Sequence, residues 1–317
     1  MPTMKHLPQI AFFTVVFGLS GPALAQQPNG PPVLVPAGAP ACESMAEALL
    51  TAARHDADEE FWLQVAVLLN EPSRNLPAGL KLAWQERRKA LAVAWEQHAA
   101  RLKVCAALGH GPYDPRLRDY DFSADVSATY HPLIVGSTYV YERMSAGGLE
   151  RVETTVQDQV DLIARIPCRV VLTVETLDGV LVERTTDWFS QHADGTVWYL
   201  GENSQEYAEG MIVSLEGSWR MGVSGAKPGI LMLSSPMLGE FYRMEFLVNR
   251  AEDVARVVGV NQTVVVAGGT FTGCVAIEES SPLETADVAT KFYAPGVGLV
   301  LEIDEQTGGR LELIQVK

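Results

Sequence analysis

The chain has 317 residues, of which 47% are hydrophobic and 20% are charged, and its formal net charge at pH 7 is −15. A chain of this composition can bury a sizeable core, which excludes an intrinsically disordered protein. The excess of acidic residues argues against nucleic acids and anionic lipid surfaces as partners, because both are negatively charged.

Residues 1–25 have the pattern of a secretory signal peptide. Lys5 precedes an apolar run from Ile10 to Leu19, and Ala23-Leu24-Ala25 offers a cleavage site of small residues. The run is roughly ten residues, about half the length of a membrane-spanning helix. We therefore predict a soluble protein that is exported to the periplasm or the extracellular space and has no transmembrane segment.

Residues 26–41 read as a Pro/Gly-rich linker, and residues 42–110 are predicted to form two helices because they are rich in Ala, Leu, Glu, Arg and Lys. An eight-residue break from Asn70 to Pro77 contains two prolines that neither helix could hold in its interior. Each helix has an apolar stripe at helical spacing. The stripe residues are Met45, Leu49, Ala52 and Ala53 in the first helix and Trp84, Leu91, Trp95 and Leu102 in the second.

The four cysteines predict two disulfides, because an even number in an exported chain is typical of a disulfide-bonded protein. Cys42 and Cys105 are equidistant from the break between the helices, so an antiparallel hairpin would bring them together. Cys168 and Cys274 then remain for the second disulfide, with two buried free thiols as the alternative. No C-x-x-C spacing occurs, which argues against a zinc ribbon or a thioredoxin-like redox site.

A metal site on the helices is the alternative interpretation of His55 and His98, which stand near Asp58, Glu59 and Glu96. A dinuclear carboxylate site needs Glu-x-x-His motifs on facing helices, and these are absent. We therefore interpret these residues as charged solvent-exposed faces and predict no metal.

Residues 111–132 are predicted to be a linker or strap, and residues 133–317 an antiparallel β domain. Strand-like runs alternate there with turn signals such as Asp178-Gly179 and Asp194-Gly195. So many short-linked strands have to curl or close. The predicted fold class is α+β: an antiparallel helical hairpin followed by a large curved antiparallel sheet, a half-open barrel like that of lipid carriers.

Several motifs in the second half resemble those of an uncharacterised family of exported bacterial β-rich proteins. They are Asp187-Trp188-Phe189, Trp198-Tyr199-Leu200-Gly201-Glu202, Glu216-Gly217-Ser218-Trp219, Gly225 to Ile230, Ala267 to Cys274 and Tyr293 to Val300. The resemblance covers about residues 130 to 317 and implies a β-rich exported fold, but it transfers no catalytic residue. Arg220 and Met221 follow Trp219 where an acidic residue is expected, so the resemblance supports no acid-based role there.

Motifs for nucleophilic, metal or nucleotide chemistry are absent. Gly222-Val223-Ser224-Gly225-Ala226 departs from the G-x-S-x-G pattern at its last position, and no H-E-x-x-H or phosphate-binding glycine loop occurs. The sequence therefore implies no cofactor and favours a protein that is not an enzyme.

Asp187 and Glu202 are the weak catalytic candidates. A two-residue turn at Asp194-Gly195 would set them opposite each other, whereas a three-residue turn with a bulge would set Asp187 against Gly201. Opposed carboxylates need a cation or a shared proton. A structural bridge by Arg or Lys, a calcium-type site and a glycosidase-like acid pair all remain open.

Aromatic residues on the strands are the candidate ligand-binding surface. The predicted set is Trp188, Trp198, Tyr199, Trp219, Tyr242 and Arg243. Such side chains can line the concave face of a curved sheet, or they can fill its core. We predict that this face binds or carries an apolar or amphipathic small molecule, neutral or cationic because the protein is acidic. The alternatives are a carboxylate-based hydrolase of glycans or esters, and an envelope structural or interaction module.

Overall fold

The computed structural model describes residues 40–71 and 75–317. The predicted leader and nearly all of the predicted linker lie outside these residues. These described residues belong to one compact unit.

Two long helices begin the described part of the chain, α1 (Ala41–Asn70) and α2 (Leu76–Leu108). Helix α2 begins where the side chain of Asn75 accepts a hydrogen bond from the backbone N–H of Ala78, with Pro77 in the first turn. Strands follow, with a short 3₁₀ turn at Asp119–Asp121 before them. The first nine are β1 (Phe122–Ser123), β2 (Ser127–Ala128), β3 (His131–Pro132), β4 (Thr138–Ser145), β5 (Gly148–Ile163), β6 (Ile166–Leu177), β7 (Val180–His192), β8 (Val197–Ala208) and β9 (Met211–Ser214). The others are β10 (Trp219–Arg220), β11 (Lys227–Met232), β12 (Phe241–Arg243), β13 (Glu245–Phe246), β14 (Val254–Val266), β15 (Gly269–Ser280), β16 (Val288–Ala294), β17 (Gly298–Asp304) and β18 (Arg310–Val316).

The strands form a nearly closed, barrel-shaped antiparallel sheet. Its order is β12-β14-β15-β16-β17-β18-β4-β5-β6-β7-β8-β11-β13. The two outermost strands, β12 and β13, are consecutive in sequence and separated only by Met244. The path around the sheet therefore returns to its start, which confirms the predicted α+β fold with a half-open barrel.

Apolar side chains fill much of the barrel interior. Val156, Val171, Val197, Val257 and Val275 belong to this core, and each is at most 2% exposed. A smaller cluster on the other face of the sheet contains Phe122, Ile163, Ile166, Cys168 and Leu200. The segment before β4 covers that face, because Phe122 of β1 packs there while β1 pairs with the end of β7.

The predicted disulfide between Cys42 and Cys105 is present, and it closes the base of the helical hairpin with a Cα–Cα distance of 5.7 Å. The second predicted disulfide is wrong, because Cys168 and Cys274 are free and buried. They lie on strands β6 and β15, which are far apart in the sheet order, and they belong to different apolar clusters. Burial raises the pKa of the Cys168 thiol to about 12, so each thiol behaves as a small apolar side chain.

The helical stripe predicted for α2 is also wrong. Trp84 and Trp95 are about half exposed, while the buried positions of α2 include Ala83, Ala94 and Arg101. Small residues lie at the contact surface because they let the helices approach closely. At Gly79, for example, an added Cβ atom would clash with Leu68 of α1.

A buried ion pair joins the hairpin to the sheet. The guanidinium of Arg101 donates to both carboxylate oxygens of Glu252, at 2.8 and 3.2 Å, and to Asn249 Oδ1 at 3.2 Å. Arg101 is 4% exposed and Glu252 is 1% exposed. The side chain of Gln97 also donates to the backbone carbonyl of Leu283. Helix α2 is therefore anchored beside the loop that leads into β14.

We predict that Cys42→Ser lowers the free energy of unfolding by about 2–4 kcal/mol, because the unfolded chain is no longer constrained by a loop of 63 residues. Denaturant unfolding without reductant measures this. Cys168→Ala is the matched control that leaves the disulfide intact. Thiol titration of the denatured, unreduced wild-type chain should find two free thiols, and finding none would contradict the pairing described here.

Replacing Glu252 by Gln should destabilise the protein by about 3–5 kcal/mol, because the buried guanidinium of Arg101 would lose its counter-charge. Chemical denaturation measures the change. The double variant Arg101→Met/Glu252→Gln removes both charges and should recover part of the loss. If the double variant were less stable than Glu252→Gln by a further amount of about 3–5 kcal/mol, Arg101 and Glu252 would not act as a charge pair.

Candidate functional site

Asp187 and Glu202 lie directly opposite each other on β7 and β8. Next to the turn the pairing is Phe189 with Tyr199, and a β-bulge at Leu200 then shifts the register by one residue. The predicted opposition of the two carboxyls is therefore correct, but it arises through the bulge rather than through a two-residue turn.

The bulge also places Tyr199 and Glu202 on the same face of β8, although they are three residues apart. The extra residue, Leu200, points to the opposite face and is completely buried there. The hydroxyl of Tyr199 donates a hydrogen bond to Asp187 Oδ1 at 2.5 Å. The Tyr199 ring stacks on the Phe189 ring with 4.8 Å between the ring centroids. It packs edge-to-face with the Trp219 ring at a centroid distance of 5.2 Å.

Four carboxyls form the centre of the site, and we call Asp187, Glu202, Glu245 and Asp253 the acidic cluster. Burial raises the pKa of Asp187 to about 7 and that of Glu202 to about 8. Burial, with the nearby charge of Glu279, raises the pKa of Asp253 to about 6. The pKa of Glu245 lies well above its ordinary value, because burial and then the charges of Asp253 and Glu202 disfavour ionisation.

A second charged layer borders the acidic cluster around Lys291. Its Nζ lies 2.6 Å from Glu279 Oε2 and 3.7 Å from Glu302 Oε2. Although burial lowers the pKa of this lysine, Glu279 and Glu302 raise it well above its ordinary value, so Lys291 is charged. The positive charge of Lys291 lowers the pKa values of Asp187 and Asp253, but this effect is smaller than the increase caused by burial.

Acidic groups outnumber basic groups along this interior face. The set that interacts electrostatically consists of Glu150, Glu175, Glu183, Asp187, Glu202, Glu245, Asp253, Glu279 and Glu302, with Arg143 and Lys291 as the cations. Arg143 forms a salt bridge with Glu150, and Lys291 forms one with Glu279. The four carboxyls of the acidic cluster therefore have no cation of their own within the described residues.

Three buried polar atoms around the cluster have no hydrogen-bond partner among the described residues: Trp219 Nε1, Tyr242 Oη and Glu245 Oε2. Their residues are 4%, 6% and 8% exposed, respectively. The Trp219 indole favours the charged form of Glu245, but it does not reach hydrogen-bond geometry. Unpaired buried polar groups are costly, so this arrangement is suited to a further hydrogen-bonding group.

Solvent reaches the charged layers. The side chains of Lys291, Glu302 and Glu279 keep 26%, 23% and 13% exposure, and Asp187 and Glu202 are also only partly buried. The apolar core that borders these groups is more deeply buried, with several side chains below 2% exposure. The charged side chains are therefore the more accessible part of the interior face.

The structure divides the predicted aromatic set between the two faces of the sheet. Tyr199, Trp219 and Tyr242 face the interior, near the acidic cluster. Trp188 and Trp198 pack against the outer apolar cluster. The six residues predicted to bind a ligand therefore do not form one surface.

Outside the barrel, the remaining predicted residues have structural partners. The indole of Trp188 donates to Asp161 Oδ2 at 2.8 Å, and Arg220 lies over its ring at 5.0 Å. Arg243 is buried between the rings of Tyr113 and Phe246, at 5.4 and 4.6 Å from the ring centroids.

Sequence reasoning missed Asp253, Glu279 and Lys291 as members of the site. A signal was present in the two-residue spacing of the strands. Glu279 lies two residues from Ile277, and Lys291 lies two residues from Tyr293, so each shares the face of an inward apolar residue. Which acids meet across the barrel depends on closure of the sheet, which the sequence does not display.

Two further findings hold for residues 40–71 and 75–317. No group of three or more His, Cys, Asp or Glu side chains is placed to hold a metal ion. None of the helices there is long and apolar enough to cross a membrane.

Comparisons with known proteins give no family. No protein-family model matches the chain, and no curated protein matches it. It is similar to a crystal structure described as "a putative lipoprotein" from Parabacteroides distasonis, with 13% sequence identity and a TM-score of 0.33, over 60% of this chain and 99% of that one. A likeness at this level carries no conclusion about function.

The acidic cluster predicts that stability falls as pH rises from 6.5 to 9. The pKa values of Asp187 and Glu202 are raised to about 7 and about 8, so the folded protein binds protons that the unfolded chain, with carboxyl pKa values of about 4, has released. Each such proton contributes a slope of up to about 1.4 kcal/mol per pH unit. His131, whose pKa burial lowers to about 4, stays neutral over this range.

Thermal denaturation across this pH range measures the effect. The variant Asp187→Asn/Glu202→Gln should show a flatter decline, because its amides do not titrate. Glu278→Gln, on the outer face of β15, is the control and should keep the wild-type slope. A stability that rises with pH, or an unchanged slope in the double variant, would contradict the assigned protonation.

Proposed function

We propose that the barrel interior binds a small amphipathic molecule that carries a positive charge, and that the protein acts as an exported carrier or receptor for it. The observation that supports this most is the acidic cluster, whose four carboxyls lack a cation of their own among the described residues, where Tyr242 Oη and Glu245 Oε2 also lack hydrogen-bond partners. A bound ammonium or guanidinium group would supply the charge and would donate to these two oxygens, whereas the Trp219 N–H needs an acceptor.

The electrostatics favour a cation over an anion. Asp187 and Glu202 share protons near neutral pH because burial and their mutual repulsion disfavour two negative charges. A cation beside them reverses this preference, so binding releases protons and is tighter at higher pH. An anionic ligand would instead add to the repulsion.

The aromatic walls favour an organic ligand. Tyr199, Trp219 and Tyr242 lie beside the cluster and offer ring faces and polar edges, which is the composition of sites for ammonium groups and their alkyl substituents.

The proposed location is outside the cytoplasm. The Cys42–Cys105 disulfide supports this, since structural disulfides persist in oxidising compartments. The leader-like sequence of residues 1–25 supports it independently.

A carboxylate-based hydrolase is the second candidate, and the opposed Asp187 and Glu202 favour it. One of the two stays protonated near neutral pH, as a general acid must. The hydrogen bond from Tyr199 to Asp187 favours the ionised form of that residue and leaves Glu202 as the acid.

Binding should be measured by calorimetry with two probes of equal alkyl length, pentylammonium and hexanoate. We expect the cation to bind and the carboxylate not to bind, with affinity for the cation rising from pH 6 to pH 8.5. Asp187→Asn/Glu202→Gln should weaken cation binding by about tenfold or more, which corresponds to about 1.4 kcal/mol or more. Glu278→Gln should bind as the wild type does.

Native mass spectrometry of protein purified from its host complements this, because a carrier should retain a bound small molecule. Binding of hexanoate but not of the cation would overturn the proposal. Turnover of glycoside or ester substrates that is lost in Glu202→Gln without loss of folding would establish the hydrolase instead.

A further inference from the structure

The distal half of the helical hairpin is not covered by the sheet. The last buried residue of α1 is Ala57, and the first buried residue of α2 is Ala83. No residue among 58–70 and 76–82 is buried. We call these two ranges with Trp84, Arg87 and Arg88 the hairpin tip. The Cys42–Cys105 disulfide and the Arg101–Glu252 ion pair both lie in the opposite half, at the base.

The hairpin tip exposes large apolar side chains on both helices. They are Trp62, Leu63, Val67, Leu69, Leu82 and Trp84, with Trp62 at 65% and Trp84 at 50% exposure. A cavity of about 240 Å³ lies between the helices and is lined by Asp58, Phe61, Trp62, Trp84 and Arg87. A high density of exposed large apolar side chains is typical of an interface.

The two helices carry opposite charge. Helix α1 contains six acidic residues and one arginine, whereas α2 contains six basic residues and two glutamates. Within the hairpin tip, Glu59 lies one turn before Trp62, and Lys81 and Arg88 lie one turn on either side of Trp84. Asp58 and Arg87 already pair with each other inside the hairpin at 2.6 Å.

We propose that the hairpin tip binds the hairpin tip of a second copy of this chain and forms a two-fold four-helix bundle. A two-fold axis sets α1 of each copy against α2 of the other, so the acidic helix meets the basic helix twice. The same contact covers the exposed tryptophans and leucines, which is how helix pairs bury their apolar faces in bundles. The charge pattern favours a second copy over an anionic lipid surface, because such a surface would repel the acidic helix α1.

Charge-reversed variants test this pairing with the purified, full-length exported chain. Variant A is Glu59→Lys/Glu60→Lys, and variant B is Lys81→Glu/Arg88→Glu. We expect the wild type to sediment as a dimer in the micromolar range at low salt, and each variant alone to sediment as a monomer, because two copies of A or of B place like charges together. An equal mixture of A and B should restore a dimer, since each A helix then faces a B helix of opposite charge.

Two controls separate the interface from folding and from net charge. Circular dichroism should show unchanged helix content in both variants, and Glu278→Lys, which changes charge on the sheet, should leave the dimer intact. Trp62→Ser/Trp84→Ser should also give a monomer. A monomeric wild type at 100 µM, a dimer that neither variant weakens, or binding of the hairpin tip to neutral phosphatidylcholine vesicles would overturn the proposal.

Discussion

Closure of the antiparallel sheet is the constraint on which the rest of the structure depends. A sheet whose outermost strands, β12 and β13, are neighbours in sequence has an enclosed inner face, so every inward side chain must find partners there. Much of that face is apolar and packs densely. Acidic side chains lie among these apolar residues, and because burial disfavours their charged forms, closure itself raises the pKa values of Asp187, Glu202 and Asp253.

The hairpin is fixed to this barrel at one end only. The disulfide ties its two helices together, and the Arg101–Glu252 pair ties α2 to the loop before β14. That loop leads directly to Asp253, so the same anchor positions one carboxyl of the acidic cluster. In the opposite half of the hairpin, none of the described residues 58–70 and 76–82 is buried, and Trp62 and Trp84 are exposed there.

Two long strands, β5 and β14, show no clear alternation in the sequence, and the physical cause differs between them. Strand β5 (Gly148–Ile163) has Glu150, Val152 and Thr154 on its inner face, so polar residues stand on both of its faces and the usual alternation disappears. Strand β14 departs from regular alternation because its pairing with β15 shifts register three times. The hairpin, by contrast, was predictable to within a few residues, since its composition, its two prolines and the Cys42–Cys105 spacing all agree.

Local signals in the sequence determined the two helices, the break between them, one disulfide, the antiparallel β region and the opposition of Asp187 and Glu202 as one of two registers. The tertiary structure alone decided which acids meet across the barrel, that Trp188 and Trp198 face away from Tyr199, and that Cys168 and Cys274 remain apart. The physical reason is that these outcomes depend on the closure of the sheet and on a one-residue bulge at Leu200. Closure joins strands that are distant in sequence, where spacing along the chain carries no information. The bulge lies in the hairpin of β7 and β8, but it depends on the packing of Leu200 in the outer apolar cluster, which the local sequence does not display.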